Sequence, residues 1–151
     1  MSNRTLIEEH VISGTYLKCF RSSKSESKST IILAHGLYVD SSSFSDFPRT
    51  LVENGFNVLA FDMHGHGKSL GDLGYISSDT IKRDLLAVSN VIDKLFQGHR
   101  IFFVGHSFGA HVALIAVLSN PKICGITLIA PQKKSGDGLT GILKVLFVLI
   151  R

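Results

Sequence analysis

A serine flanked by two glycines gives this sequence its clearest candidate for covalent chemistry. The segment Gly105-His106-Ser107-Phe108-Gly109 follows a short apolar run and precedes an amphipathic stretch. A G-x-S-x-G pattern recurs by chance, but its position between a buried strand and a helix is typical of the turn that presents a nucleophilic serine. We therefore expect Ser107 to stand at a helix N-terminus, where free N–H groups favour developing negative charge.

The two glycines of this segment carry a steric prediction. A turn this tight brings the backbones of strand and helix together, so that side chains at Gly105 or Gly109 would collide with them. We expect both positions to require glycine.

The elements that must position this turn follow from the hydrophobic periodicity. Short apolar runs at residues 30–34, 57–61, 101–104 and 125–130 predict buried strands. Helical patterns separate them, beginning near Pro48, near Ser77 or Ser78, and near Ser107. The alternation predicts an α/β protein with a mostly parallel sheet and helices on both faces. A chain of 151 residues is long enough for one such domain.

Two further motifs occupy the positions that this turn would need. His35-Gly36-Leu37 ends the strand at 30–34, and a glycine-rich loop runs from Asp62 to Ser69. With these three motifs in this order, the chain resembles the α/β-hydrolase family, in particular the branch of monoacylglycerol lipases, lysophospholipases and the serine aminopeptidase S33 group. The resemblance covers about residues 30–131.

The resemblance implies a serine hydrolase acting on carboxylic esters without a cofactor. Ser107 matches the nucleophile, and the backbone N–H groups of Leu37 and Phe108 match the oxyanion hole. The side chains of Leu37 and Phe108 are then expected to line the acyl pocket. The residues that would support the turn and the loops are His35, Gly36, Gly105, His106 and Gly109.

The acid and the base of a catalytic triad are not evident. In this fold they follow the nucleophile in the order acid, then histidine. After Ser107 the sequence has one histidine, His111, which precedes the one acid, Asp137. We expect His111 to be a packed helix histidine, so the acid and base stay unknown within this chain.

The remaining histidines have structural interpretations. His35, His64 and His66 are expected to hold loop backbone by hydrogen bonds, and His106 is expected to point away from the nucleophile. His10 and His99 are expected on the surface. Asp62 with His64 and His66 could be imagined as metal ligands, but alternate positions in a turn without a fourth ligand make a poor site. We expect no metal.

The resemblance divides the chain into three parts. Residues 5–21 form an N-terminal hairpin, residues 30–131 the core, and residues 132–151 either the beginning of a cap or a non-native tail. We expect a single partial domain, truncated after the strand that follows the nucleophile helix. The apolar run 142–150 would then lack partners, which favours self-association or a second chain that supplies the missing half.

Composition excludes several partners and compartments. The 16 Lys and Arg against 12 Asp and Glu give a net charge of +4, but the basic residues form no stripe with interleaved aromatics, so nucleic-acid binding is not expected. The run 142–150 is far below the ~20 residues of a membrane span. Without an apolar leader, and with Cys19 and Cys124 outside any paired motif, we expect a cytoplasmic protein with free thiols.

Two alternatives to an active hydrolase stay open. The first is a non-catalytic truncated hydrolase, or a half-domain that binds a ligand or partner. The second is an unrelated doubly wound fold whose glycine-rich turn binds phosphate, although the sequence has no G-x-G-x-x-G and no P-loop lysine at this point.

Overall fold

The computed structural model of the chain describes residues 5–23, 28–132 and 142–149. A 3₁₀ helix covers Ser41–Phe44. The other elements, in chain order, are β1 (Leu6–Ile12), β2 (Thr15–Arg21), β3 (Ser29–Ala34), α1 (Phe47–Glu53), β4 (Asn57–Phe61), α2 (Ser78–Leu95), β5 (Arg100–His106), α3 (Phe108–Ser119), β6 (Ile123–Gln132) and β7 (Ile142–Leu149).

The described strands form one seven-stranded sheet in the order β1-β2-β4-β3-β5-β6-β7. The four central strands, β4, β3, β5 and β6, are parallel to one another. Strands β1 and β2 form the predicted hairpin and add to β4 antiparallel. The predicted α/β class with a mostly parallel sheet is confirmed.

Helices cover both faces of the central strands, which explains the continuous apolar runs. Ile32 of β3 packs in the core cluster under α2 and α3, together with Phe103 and Val88. Its neighbours Ile31 and Leu33 point to the other face, where they pack in the cluster that holds α1. A strand buried on both faces has no polar alternation, and this is why β3 is recognisable in the sequence.

Helix α2 begins at the predicted serine. The hydroxyl of Ser77 accepts from the N–H of Thr80 at 3.2 Å, and the hydroxyl of Thr80 accepts from the N–H of Ser77 at 2.9 Å, which forms a capping box. Of the predicted apolar stripe, Ile81, Val88 and Ile92 are buried. No helix in the described ranges is long and apolar enough to cross a bilayer.

The carboxyl-terminal edge of the sheet differs from the expectation. The apolar run was expected to lack partners, but residues 142–149 form β7, which pairs antiparallel with β6 from Gly125↔Leu149 to Gln132↔Ile142. That expectation is wrong for these residues, because the backbone of β6 offers a full row of hydrogen-bonding groups that a second strand satisfies. The strand at 125–130 is therefore not the last strand of the sheet.

Candidate active site

Ser107 stands between the end of β5 and the start of α3. Its backbone adopts φ 54° and ψ −116°, a region that non-glycine residues rarely occupy. The N–H of Ser107 donates to the carbonyl of Ile129 at 2.7 Å, and the carbonyl of Ser107 accepts from the N–H of Ala110 at 3.0 Å. These two hydrogen bonds fix the backbone of Ser107. The residue itself is exposed to solvent.

The glycines on either side of Ser107 are needed for the reason predicted. A Cβ added to Gly105 would collide with the backbone carbonyl of Gly109, and a Cβ added to Gly109 would collide with the carbonyl of Ala34. Three segments, the ends of β3 and β5 and the start of α3, therefore meet with no room for a side chain between them.

The loop after β3 lies against the serine. A Cβ built on Gly36 would be 3.3 Å from Ser107 Cβ. Leu37 follows, and its N–H donates to no other residue in the described part of the chain; the same is true of the N–H of Phe108. Gly36, the residue before Leu37, thus lies against Ser107, the residue before Phe108.

His35 holds this loop to the next one. Its side chain is fully buried, and its Nε2 accepts from the N–H of Met63 at 2.9 Å. The ring must therefore carry its proton on Nδ1, which donates to the carbonyl of Gly36 at 2.7 Å. Burial lowers the pKa of His35, so the neutral ring serves as a structural link, as the sequence predicts.

Asp62 is a second link between the loops. Its buried carboxylate accepts from the N–H of Ser41 at 2.8 Å and from the N–H of Lys68 at 2.9 Å. The first donor begins the 3₁₀ helix after β3, and the second lies in the loop after β4. One carboxylate thus links the loop after β3, which contacts Ser107 at Gly36, to the loop after β4.

Asp84 is a buried acid of α2 that the sequence analysis did not single out. Its carboxylate accepts from Thr15 Oγ1 at 2.7 Å and from the N–H of His64 at 2.8 Å. Burial raises the pKa of Asp84. The signal in the sequence is its place three residues after Ile81, on the apolar stripe, where an acid must have buried partners.

The glycine-rich loop does not form a metal site. Nδ1 of His66 donates to the carbonyl of His64 at 2.9 Å, and the ring of His66 packs against His35 with centroids 5.3 Å apart. The carboxylate of Asp62 is bound to backbone N–H groups. In residues 5–23, 28–132 and 142–149, no group of three or more His, Cys, Asp or Glu side chains could hold a metal ion.

Neither histidine near Ser107 in the sequence is hydrogen-bonded to it. His106 Nδ1 lies 3.5 Å from the position of a Cβ on Gly36, so His106 and Ser107 flank that glycine. His111, expected to be packed, is instead exposed; its ring stacks on Phe108 with centroids 5.9 Å apart. The structure thus brings no described histidine into hydrogen-bond contact with Ser107.

Two other histidines were expected on the surface, and both are half-buried. His10 lies in β1. His99 precedes β5, and its Nδ1 lies 3.0 Å from Thr30 Oγ1, so it secures the start of the central strands and not the site.

An apolar groove of about 350 Å³ opens beside the serine turn. Its walls come from the loop after β3, the 3₁₀ helix, the start of α1 and the ends of β5 and β6. They are formed by Val39, Ser43, Phe44, Phe47, His106 and Ile129. Leu37 and Phe108 were expected to line the acyl pocket, but neither is among the residues that line this groove. Phe108 packs instead against the core cluster under α2 and α3.

A second cavity of about 210 Å³ lies between α2 and α3. Leu86, Ile92 and Ile115 are among its walls. None of the residues that line this cavity belongs to the serine turn, to the loop after β3 or to the loop after β4. The cavity is therefore separate from the candidate site.

Comparisons with known proteins find a family model and several relatives that match this chain. The model of the family described as serine aminopeptidase, S33, matches residues 25–150. The monoglyceride lipase of Homo sapiens is 30% identical over 121 residues, which are 78% of this chain and 40% of that protein. The monoglyceride lipase of Rattus norvegicus is 29% identical over 136 residues, 88% of this chain and 45% of that protein.

Solved structures give the same result for the fold. The monoacylglycerol lipase of Paleococcus ferrophilus superposes with a TM-score of 0.64 at 29% identity, covering 80% of this chain and 45% of that one. An esterase of Pyrococcus furiosus gives a TM-score of 0.63 at 27% identity, covering 81% and 49%. The chain therefore spans less than half the length of each of these four proteins.

Proposed function

Because the chain belongs to the serine aminopeptidase S33 family of α/β-hydrolases, we propose that it carries the nucleophile of a carboxylic ester hydrolase acting on acylglycerol-like esters. The nucleophile is Ser107, and the oxyanion hole consists of the backbone N–H groups of Leu37 and Phe108. Esters are favoured over peptides because the relatives described above are lipases and an esterase.

The observation that carries this proposal is the backbone of Ser107. A non-glycine residue at φ 54° costs about 1–3 kcal/mol, and such strain persists where the surrounding structure enforces it for a function. Here the enforcement comes from the contacts of Gly105 and Gly109.

Ester hydrolysis at this site needs three groups: a nucleophile, a base, and hydrogen-bond donors for the carbonyl oxygen. The Oγ of Ser107 forms a bond to the ester carbonyl carbon as its proton passes to a base, and the carbonyl oxygen gains negative charge. The bond from that carbon to the alcohol oxygen then breaks, and the base gives the proton to the departing alcohol. Water later cleaves the acyl–serine ester, releases the acid and restores the hydroxyl of Ser107. The N–H groups of Leu37 and Phe108 donate to the negatively charged carbonyl oxygen, and each donor of this kind contributes roughly 10²–10³ in rate.

The base and its acid come, in this proposal, from polypeptide outside the described residues. Support comes from the absence of any histidine hydrogen-bonded to Ser107 within those residues, and from relatives more than twice as long as the matched segment. In this proposal the base and the acid are supplied by a second chain or by a longer polypeptide that contains these residues, and self-association is the alternative partner. We also propose a cytoplasmic location, supported by Cys19 and Cys124, which are both free thiols.

A second candidate function is supported by the same absence. Without a base, the chain acts as a non-catalytic half-domain that retains the acyl-binding surface. In this case Ser107 has no enhanced nucleophilicity, because removal of triad partners leaves only the effects of the oxyanion hole and of binding.

Covalent labelling with a fluorophosphonate probe tests whether this chain alone activates Ser107. The folded, monodisperse chain is compared with Ser107→Ala and with Ser119→Ala, which removes an exposed hydroxyl on α3. Labelling of the wild type and of Ser119→Ala, with loss in Ser107→Ala, supports an activated nucleophile and a base within this chain. Absence of labelling in a folded chain overturns activity of this half alone and leaves two functions, one with the base on other polypeptide and one without catalysis.

A further inference from the structure

The two edges of the sheet differ in how well they are protected from pairing with another strand. The strand order places β1 at one edge and β7 at the other. An edge strand presents a row of unpaired N–H and C=O groups, which proteins commonly protect with charged side chains. Strand β1 carries Glu8, Glu9 and His10, and ion pairs join the two glutamates to Arg21 and Lys18 of β2. These charges make the β1 edge unsuited to an apolar strand.

The β7 edge has no comparable protection. Its sequence is ILKVLFVL, in which Lys144 is the one charged residue and proline is absent. All eight residues pair with β6, and no strand of the described ranges pairs with the opposite edge of β7. In an antiparallel pair, alternate residues direct both backbone groups away from the partner strand. Every second residue of β7 therefore offers an N–H and a C=O to another strand.

The sequence of β7 is complementary to itself in antiparallel orientation. In the centred register, Val145 lies opposite the partner's Leu146, and Lys144 lies opposite the partner's Phe147. All eight residues are then paired. The register that sets the two lysines opposite each other pairs only residues 142–146, and like charges directly opposite each other destabilise a strand pair. The position of Lys144 therefore selects the centred register.

A two-fold axis through the centre of this pairing closes the assembly. The same groups of each copy bind the other copy, so neither β7 edge stays free. Pairing of β7 with β1 of another copy would instead leave a free edge at both ends and would extend without limit. It would also set apolar residues against the strand that carries Glu8 and Glu9. The edges of this sheet thus favour a closed pair of copies.

We propose that two copies of the chain associate through β7, antiparallel and in the centred register, so that their two seven-stranded sheets become one continuous sheet. Ser107 follows β5, and β6 lies between β5 and β7 in the strand order. The interface is therefore separate from the candidate site. The inference goes beyond the proposed function and holds whether or not Ser107 is activated.

The sign of a charge at position 147 tests this register. Phe147→Glu sets a carboxylate opposite the partner's Lys144, whereas Phe147→Lys sets an ammonium group there, and both variants lose the same aromatic ring. Within one copy, position 147 pairs with the uncharged Thr127 of β6. It is also three residues from Lys144, so the two positions lie on opposite faces of the sheet. A dependence on the sign of the charge therefore reports a contact between copies.

Analytical ultracentrifugation measures the dissociation constant of each variant. We expect the wild-type chain to sediment as a dimer, and Phe147→Lys to dissociate at least about tenfold more readily than Phe147→Glu at low salt. This ratio should fall toward one at about 1 M salt, because the charges are then screened. The double variant Lys144→Glu/Phe147→Lys reverses both charges and should associate as tightly as Phe147→Glu. Leu118→Lys is the control, because Leu118 is exposed on α3; its dissociation constant should stay within about twofold of wild type.

Three outcomes overturn the proposal: a monomeric wild-type chain, wild-type assemblies larger than a dimer, or equal dissociation constants of folded Phe147→Glu and Phe147→Lys at low salt. Hydrogen exchange of the wild-type chain is a second test that needs no variant. Alternate amides of residues 142–149 should become protected as the concentration rises through the dissociation constant. Protection of these amides that does not change with concentration would also overturn the proposal. Neither measurement depends on labelling of Ser107, so failure of the proposed function leaves this test intact.

Discussion

Gly109 lies so close to the end of β3 that the carbonyl oxygen of Ala34 occupies the space of its missing side chain. This contact joins the first turn of α3 to the strand whose following loop carries His35, Gly36 and Leu37. The position of the proposed oxyanion hole relative to Ser107 therefore depends on a backbone contact and not on side-chain packing.

Gly109→Ala is expected to destabilise the fold by about 3 kcal/mol, because a close-packed interior does not accept an added group without displacement of backbone. Urea unfolding measures the loss. Gly98→Ala is the matched control: Gly98 has φ 78° but no atom within 4 Å of an added Cβ, so only about 1 kcal/mol of conformational strain is expected. Equal destabilisation in the two variants would contradict the close contact at Ala34.

The buried carboxylate of Asp62 gives a prediction about the loops. Asp62→Ala leaves the N–H groups of Ser41 and Lys68 without their acceptor, and each hydrogen bond to a charged group contributes about 1.5–3 kcal/mol. We expect a loss of about 3 kcal/mol in urea unfolding. Any labelling of Ser107 by the fluorophosphonate should slow as well, since the loop that carries Leu37 is released.

Asp46→Ala is the control for Asp62→Ala. Asp46 precedes α1, is exposed, and its side chain makes no capping hydrogen bond. Its removal should change stability by less than about 0.5 kcal/mol. A similar loss in both variants would mean that Asp62 is not the link between the loops.

The elements around Ser107 were predictable because each has a local cause. Strand β3 is apolar throughout since it is buried on both faces, and α2 begins at Ser77 because a serine there can cap it. The glycines at 105 and 109 were predictable from the sterics of a tight turn. In these cases the residue type at one position indicates its local surroundings.

The missed features have non-local causes. The pairing of β7 with β6 depends on β6 having a free edge. The residue types of the apolar run Ile142–Leu149 do not show that this edge exists, so they do not predict the pairing. The walls of the groove come from five separate segments. Asp62 and Asp84 are acids whose partners lie in other elements. Only the folded backbone brings such groups together.

His35 predicts a dependence of stability on pH. Burial lowers the pKa of His35 below its ordinary value of 6.5. Just below pH 6.5, His35 is therefore protonated in the unfolded chain and neutral in the folded chain. The stability due to this residue is fully present above about pH 6.5 and is lost as the pH falls below that value. The free energy of unfolding should therefore decrease between pH 7.5 and pH 5.5.

His35→Gln tests this assignment. Glutamine does not titrate, and its carboxamide has both an acceptor and a donor, but it lacks the rigid ring that places them at the N–H of Met63 and the carbonyl of Gly36. We expect the variant to be about 1 kcal/mol less stable than wild type at pH 7.5. The difference should shrink at pH 5.5 in urea unfolding, and a difference that stays constant with pH would contradict a neutral His35 in the folded chain.

The strained backbone of Ser107 gives a prediction that is independent of catalysis. Glycine adopts φ 54° without steric cost, whereas a residue with a Cβ loses about 1–2 kcal/mol there. The greater freedom of glycine in the unfolded chain offsets about 0.4–1 kcal/mol of that gain. Ser107→Gly should therefore be more stable than Ser107→Ala by about 0.5–1 kcal/mol in urea unfolding. Both variants lack the hydroxyl, so the difference isolates the strain. Equal stability of the two would show that the turn relaxes in solution, and the observation that supports Ser107 as the nucleophile would be lost.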